Sequence, residues 1–254
     1  MTEQIYLLLI QVMPYLAVVV FIALFFVQAG YGRFHTKKWG WSIPNKIGWI
    51  LMEAPAFIVL FYLWWTSSVR FKIPEFIFFL LFELHYFQRS FVFPLLMKGN
   101  SQMPISILAM GVLFNSINGF LLGESLFHLA PDTFYTAAWF GQPLSAAGLF
   151  LFFIGMAVNL HSDHVTRNLR PAGDTRHYLP QKGMYRFVTS GNYFGELVEW
   201  TGFALLTQST AAWIFVIWTF ANLAPRAYSI RKRYIQEFGA EAVGNRKCLI
   251  PFIF

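Results

Sequence analysis

The stretch Asn159 to Trp200, NLHSDHVTRNLRPAGDTRHYLPQKGMYRFVTSGNYFGELVEW, decides how this chain is read. It holds three Asn, two Asp, three His, five Arg or Lys and two Glu, with strongly apolar sequence on either side. Of the 254 residues, 57% are hydrophobic, 20% aromatic and 12% charged, where a soluble domain carries about 25% charge. That composition points to an integral membrane protein. Polar and ionisable groups between membrane helices are expensive and mark the working site.

A spanning helix needs about 20 mostly apolar residues. Seven segments meet or approach this: 5–28, 47–65, 74–97, 105–127, 143–160, 192–208 and 211–229. The sequence therefore predicts an all-α integral membrane protein of seven transmembrane helices, with a tight hairpin at Ser209 and Thr210 between the last two. The first segment has neither a basic leader nor a small-residue cleavage site and is read as a retained helix. One side of the bundle collects Arg33, Lys37, Lys38, Lys46, Lys98, the basic residues of 167–186 and those of 231–247; the other has only Arg70 and Lys72. By the positive-inside rule the N-terminus is outside and the C-terminus cytoplasmic. The net charge of +7 is then a topology signal, and nucleic acid is not an expected partner. A single cysteine, Cys248, leaves no internal disulfide.

Several polar residues fall inside the spans. Glu53 is followed by Pro55, which is expected to kink the helix and expose a carbonyl. A carboxyl there should be held protonated and seek a hydrogen-bond donor. In the third helix Glu83, Tyr86 and Arg89 share a face at spacings of three. The structural reading has Glu83 and Arg89 neutralising one another, with Tyr86 interfacial. Asn192, Glu196 and Glu199 line one face of the sixth helix, which must meet a cavity or cations; Arg226 is the expected partner.

Other motifs carry less. His161-Ser162-Asp163-His164 supplies two histidines at i, i+3, too few for a metal, and adjacent residues of one helix do not work as a triad. No metal is expected. Gly30-Tyr31-Gly32 has no preceding strand and no third glycine, so it is a loop and not a dinucleotide turn. Gly119–Gly123 and Gly191–Gly195 have the spacing of close helix packing. What remains fits either an intramembrane enzyme with a lipid-like substrate and an anionic cofactor, or a transporter. The absence of an internal repeat favours the enzyme.

The residues also resemble a known family. LFELHYFQRSFVFPLL at 81–96, NLHSDHVTRNLR at 159–170, SGNYFGELVEWTGFALLT at 190–207 and RKCLIPFIF at 246–254 are similar to the steroid 5α-reductases, or 3-oxo-5α-steroid 4-dehydrogenases. The resemblance covers most of the chain from Glu53 onward; the first helix matches only in character. It implies NADPH-dependent reduction of the Δ4 double bond of a 3-oxo-Δ4-steroid. Glu53 and Tyr86 take the catalytic positions as donors to the 3-oxo oxygen. Asn159, Asp163, Arg170, Asn192, Glu196, Arg226 and Tyr234 match cofactor-side positions.

On this reading residues 1–128 form mainly the steroid side. Residues 143–254, with loop 161–190 and the C-terminal tail, hold mainly NADPH, and 171–189 is a candidate gate. The partners are a steroid-like lipid and membrane lipids, and the chain is a monomer. The location is the inner membrane if bacterial, the endoplasmic reticulum if eukaryotic. Met52, Lys98 and Ile230 depart from the residues expected of the animal enzymes, which bears on substrate preference and cofactor affinity. Within the wider superfamily the alternatives are reduction of another enone or enoyl lipid, or S-adenosylmethionine-dependent methyl transfer, which needs no enolate-stabilising pair.

Overall fold

The computed structural model describes residues 2–27, 30, 39–131, 133–170, 174 and 176–254. Arg33, Lys37 and Lys38, Tyr31-Gly32, and positions 171–173 and 175 of the candidate gate lie outside the described residues. Among the described residues helices account for nearly all regular structure, and five are long and apolar enough to cross a membrane: Thr2–Phe26, Asn45–Thr66, Ile73–Leu96, Ile105–Leu129 and Pro143–Arg167. Their outward faces invert the soluble pattern. Val19 is 62% exposed, Tyr62 63%, Leu113 62% and Phe150 66%. Such helices, apolar where they face outward, suit hydrocarbon and not water. The protein is an all-α membrane protein.

The chain divides into two compact units. The first comprises Met1–Met13, Ala29–Ala146 and Thr207–Ala212; the second comprises Pro14–Gln28, Ala147–Leu206 and Trp213–Phe254. Helix α1 (Thr2–Phe26) contributes to both.

In the first unit, α2 (Asn45–Thr66) and α5 (Ile105–Glu124) pack closely. Their starts are tied by a small antiparallel pair, β1 (Ser42–Pro44) and β2 (Gln102–Pro104), with Ile43 opposite Met103. The sequence reading has no strand here. Prolines 44 and 104 close both strands, leaving each short and followed directly by a helix. Glycines let α2 and α5 run side by side. A Cβ on Gly111 would stand 2.7 Å from Met52 Sδ, on Gly119 3.0 Å from the Ala56 carbonyl, and on Gly123 2.6 Å from Leu63 Cδ1. The glycine spacing noted in the sequence is therefore a packing surface.

The third span is not one regular helix. It runs as α3 (Ile73–Phe87), a π-helical turn at Gln88–Val92, and α4 (Phe93–Leu96). Pro94 has no N–H, and its ring would collide with the carbonyl four residues back, on Ser90. The wider turn, in which Phe93 N–H donates to Gln88 O, accommodates it. Arg70, in the loop before α3, donates to the carbonyls of Trp65 (3.3 Å) and Ser67 (3.2 Å) and so satisfies the end of α2.

The second unit is built on α6 (Pro143–Arg167), α7 (Gly191–Thr207) and α8 (Thr210–Phe238), followed by the short α9 (Ala240–Val243). Helix α6 extends two turns beyond the apolar run that ends at Leu160, because hydropathy marks a membrane boundary and not a helix end. Likewise α8 continues past Ser229 into charged sequence. The turn between α7 and α8 takes only Gln208 and Ser209, with Gln208 in the left-handed region at φ 51°.

Helices α6 and α7 touch backbone to backbone. A Cβ on Gly155 would lie 2.6 Å from Glu199 Cα, on Gly195 2.8 Å from Asn159 Cα, on Gly148 2.6 Å from the Gly202 carbonyl and on Gly202 2.7 Å from that of Gly148. These pairs set one antiparallel register. Gly155→Ala forces α6 and α7 apart, an overpacking cost of about 1–3 kcal/mol. We expect a lowered melting temperature in detergent, with Gly141→Ala unchanged because nothing lies within 4 Å of that Cβ.

Candidate functional site

Each unit gathers a polar set. In the first, Tyr86 on α3 is 3% exposed and its hydroxyl donates to Asn115 Oδ1 at 3.5 Å. The Asn115 amide donates to the Met52 carbonyl at 2.7 Å and to Glu53 Oε2 at 3.3 Å. Pro55 deprives the Leu51 carbonyl of its helical donor; one residue on, the Met52 carbonyl takes a side-chain donor from another helix. Asn115 thus joins the half-buried Glu53 to the buried Tyr86. Sequence reasoning missed Asn115. Its signal was an amide in the middle of an otherwise apolar span, SILAMGVLFNSINGF.

The expected Glu83–Arg89 pair does not form. Both Glu83 oxygens are buried with no hydrogen-bond partner among the described residues. The Arg89 guanidinium lies over Trp49 (5.1 Å) and Phe93 (4.7 Å), a cation–π arrangement. Glu83 and Arg89 are six residues apart, about 120° off a common face at 3.6 residues per turn, so even a regular helix sets them on different sides, and Arg89 already lies in the π turn at Gln88–Val92.

In the second unit, the close α6–α7 register brings three predicted residues together. Asn159 Nδ2 donates to the Asn192 carbonyl at 2.9 Å, and Asn192 Nδ2 donates to Asp163 Oδ1 at 3.1 Å. Asn159 and Asp163 are buried, at 2% and 5% exposure. Glu196 follows one turn along α7, half-buried, while Arg226 is half-buried and Tyr234 buried on α8. Arg170 sits exposed beyond the end of α6, outside the hydrogen-bonded set.

Tyr185 was not foreseen. Its ring is fully buried, its hydroxyl approaches Asn192 Oδ1 at 3.4 Å, and burial, with Asp163, Tyr234 and Tyr193 nearby, pushes its phenol well above the ordinary range. Tyr185 belongs to the turn Gly183–Arg186, which starts at a left-handed glycine (φ 60°). A Cβ on Gly183 would be 2.6 Å from His161 Nδ1, so His161 packs under this turn. Arg246 holds the turn, donating to the carbonyls of Pro180 (3.0 Å) and Tyr185 (3.4 Å), while Thr189 N–H donates to Lys247 O at 2.9 Å. Further along the loop, Asp174 accepts from Arg176 and Tyr178, which holds its carboxyl below the usual range, and His177 pairs with Glu237 of α8.

Carboxyls, amides and phenols collected in hydrogen-bonded sets inside apolar helices are the furnishings of a membrane-embedded enzyme. The family model described as 3-oxo-5-alpha-steroid 4-dehydrogenase matches residues 101–254. Among curated relatives, 3-oxo-5-alpha-steroid 4-dehydrogenase 1 of Mus musculus is 34% identical over 241 residues, 94% of this chain and 93% of the relative. Type 2 of Homo sapiens is 37% identical over 232 residues (89% and 88%), and Steroid 5-alpha-reductase DET2 of Gossypium hirsutum 34% over 243 (94% and 93%). The chain belongs to the 3-oxo-5-alpha-steroid 4-dehydrogenase family, whose members are oxidoreductases.

Asn115→Leu leaves the Met52 carbonyl and Glu53 without this donor. It should cost about 1–3 kcal/mol by denaturant unfolding. Ser116→Ala, whose hydroxyl only back-bonds to Val112 at 2.8 Å, should stay within about 0.5 kcal/mol.

Proposed function

We propose that this chain reduces the Δ4 double bond of 3-oxo-Δ4-steroids to 5α-3-oxosteroids, using NADPH. In this reading α7 and α8 also cross the membrane, giving seven spans with the N-terminus outside and the C-terminus cytoplasmic. Residues 1–128 serve mainly the steroid and 143–254 mainly the cofactor. The chain acts as a monomer. The observation that carries the reading is the hydrogen-bonded Tyr86–Asn115–Glu53 set within a chain of this family.

NADPH supplies the hydride when bound. Addition at C5 moves the C4–C5 π pair toward C3, and the 3-oxo oxygen takes up the enolate charge. Tyr86 donates its O–H to that oxygen, leaving the long 3.5 Å bond to Asn115 for a stronger acceptor. Asn115 holds Glu53 through Oε2, and Glu53 in its protonated form is the second donor. A proton delivered to C4 from Tyr86 or from water restores the ketone and completes the saturated bond.

The second unit suits a large polar anion. Arg170 offers an exposed guanidinium for phosphate. Asn192, held by Asp163 and Asn159, suits an amide or hydroxyl, while Asp163 and Glu196 suit ribose or adenine donors; Arg226 and Tyr234 complete the set. Ser162 and Ser190, both fully buried near the start of α7, carry hydroxyls with no partner among the described residues, as expected where a ligand brings polar groups.

The direct test incubates the purified protein with testosterone or progesterone and NADPH. The 5α-reduced product should form; no NADPH oxidation across a panel of enones would contradict the proposal. Tyr86→Phe and Glu53→Gln should each lower kcat by about 10²–10³-fold with NADPH binding retained. Near-normal turnover in either variant removes that residue from the assignment. Arg170→Ala should raise the KM for NADPH by about ten- to hundredfold, and a defect confined to the steroid would contradict its placement.

A further inference from the structure

Glu83 and Asn118 are among the buried polar groups of the first unit that the proposed reduction leaves unused. Glu83 on α3 is 7% exposed, and neither carboxyl oxygen has a hydrogen-bond partner among the described residues. Asn118 on α5 is 4% exposed, and its Nδ2 likewise lacks a partner among them. Native interiors pair such groups almost without exception, so an unpaired carboxyl and amide in one unit ask for a missing partner.

The helix directions place the two at one level along the bundle. Helices α2 and α5 run parallel, with Gly111 against Met52, Gly119 against Ala56 and Gly123 against Leu63. Helix α3 runs the other way along α2, with Phe93 beside Trp49 and Phe79 stacked on Trp64 at 3.8 Å. Stepping from Tyr86 back to Glu83 and from Asn115 forward to Asn118 therefore moves in the same direction. Each step is about 4.5 Å along its helix at 1.5 Å per residue. Both orphan groups lie one turn beyond the Tyr86–Asn115 hydrogen bond, toward the loop joining α2 to α3.

We propose that Glu83 and Asn118 form a second polar recognition point for the substrate, taking a hydroxyl or keto oxygen on the skeleton beyond ring A. This rests on the enone-reductase reading, with the 3-oxo group at Tyr86. The Asn118 N–H donates to that oxygen. The Glu83 carboxyl donates to a keto oxygen as the neutral acid or accepts from a hydroxyl, so either function satisfies both side chains. A hydrocarbon skeleton leaves them unpaired, and unpaired site groups discriminate strongly against a substrate lacking the matching group.

The experiment compares two 3-oxo-Δ4-steroids, one with a hydroxyl or ketone on ring C or D and one whose remaining skeleton is hydrocarbon. They are assayed with the full-length wild type, Glu83→Met (close in volume), Glu83→Gln and, as an independent variant, Asn118→Ala. We expect Glu83→Met and Asn118→Ala to lower kcat/KM for the oxygenated substrate by at least about tenfold and to leave the hydrocarbon one within about twofold. Glu83→Gln keeps most of the preference, since its amide still donates and accepts. Turnover of the hydrocarbon enone reports that each variant is folded. An equal loss for both substrates, or no change in their ratio, overturns the recognition point while leaving the reductase reading intact. Failure of the wild type to reduce either enone overturns both.

Discussion

The second unit depends on how closely α6 and α7 approach. Lipid offers no hydrophobic drive between helices, so association relies on backbone contact through small residues and on hydrogen bonds across the seam. Gly148 and Gly155 on α6, with Gly195 and Gly202 on α7, let the two backbones touch. The hydrogen bonds from Asn159 to the Asn192 carbonyl and from Asn192 to Asp163 exist only at that separation. A side chain at any of these glycines would move one helix away and break the Asn159–Asn192–Asp163 set. The turn around Tyr185 reaches Asn192 on the same framework, and Thr189 just beyond it pairs with Lys247 of the tail.

The first unit uses the same device for a different end. Gly111, Gly119 and Gly123 bring α5 against α2 in a parallel register, and that contact delivers the Asn115 amide to the Met52 carbonyl beside Glu53. Pro55 and Pro94 each remove a helical N–H, and the structure answers differently at each: a side-chain donor close to the first, a π turn before the second. Both adjustments lie close to the residues assigned to chemistry. Irregular helix geometry at such positions fits a site, where regularity is given up for placement.

Much of this was legible in the sequence. Composition and apolar run length identified a helical membrane protein, and five of the expected spans coincide with long apolar helices. Asn192 was read from its helical spacing and Asn159 and Asp163 from the family resemblance, and the three meet. What failed did so for physical reasons. Glu83 and Arg89 each stand three residues from Tyr86, but six residues from one another they are about 120° off a common face, and Arg89 sits inside the π turn Gln88–Val92. Asn115 and Tyr185 matter through partners on other helices, which spacing along one helix does not reveal. The glycine pairs were visible only as spacing within a helix; the partner each one faces, such as Gly155 with Glu199, is a tertiary fact.

The central claim is that hydride reaches the β-carbon of an enone while Tyr86 and Glu53 receive charge on its oxygen. NADPH deuterated at the nicotinamide C4 tests this most directly, with the label located in the product by NMR. The account predicts one deuterium at C5 and a solvent-derived proton at C4. Deuterium at C3, as in carbonyl reduction, or a label absent from a reduced product would contradict it.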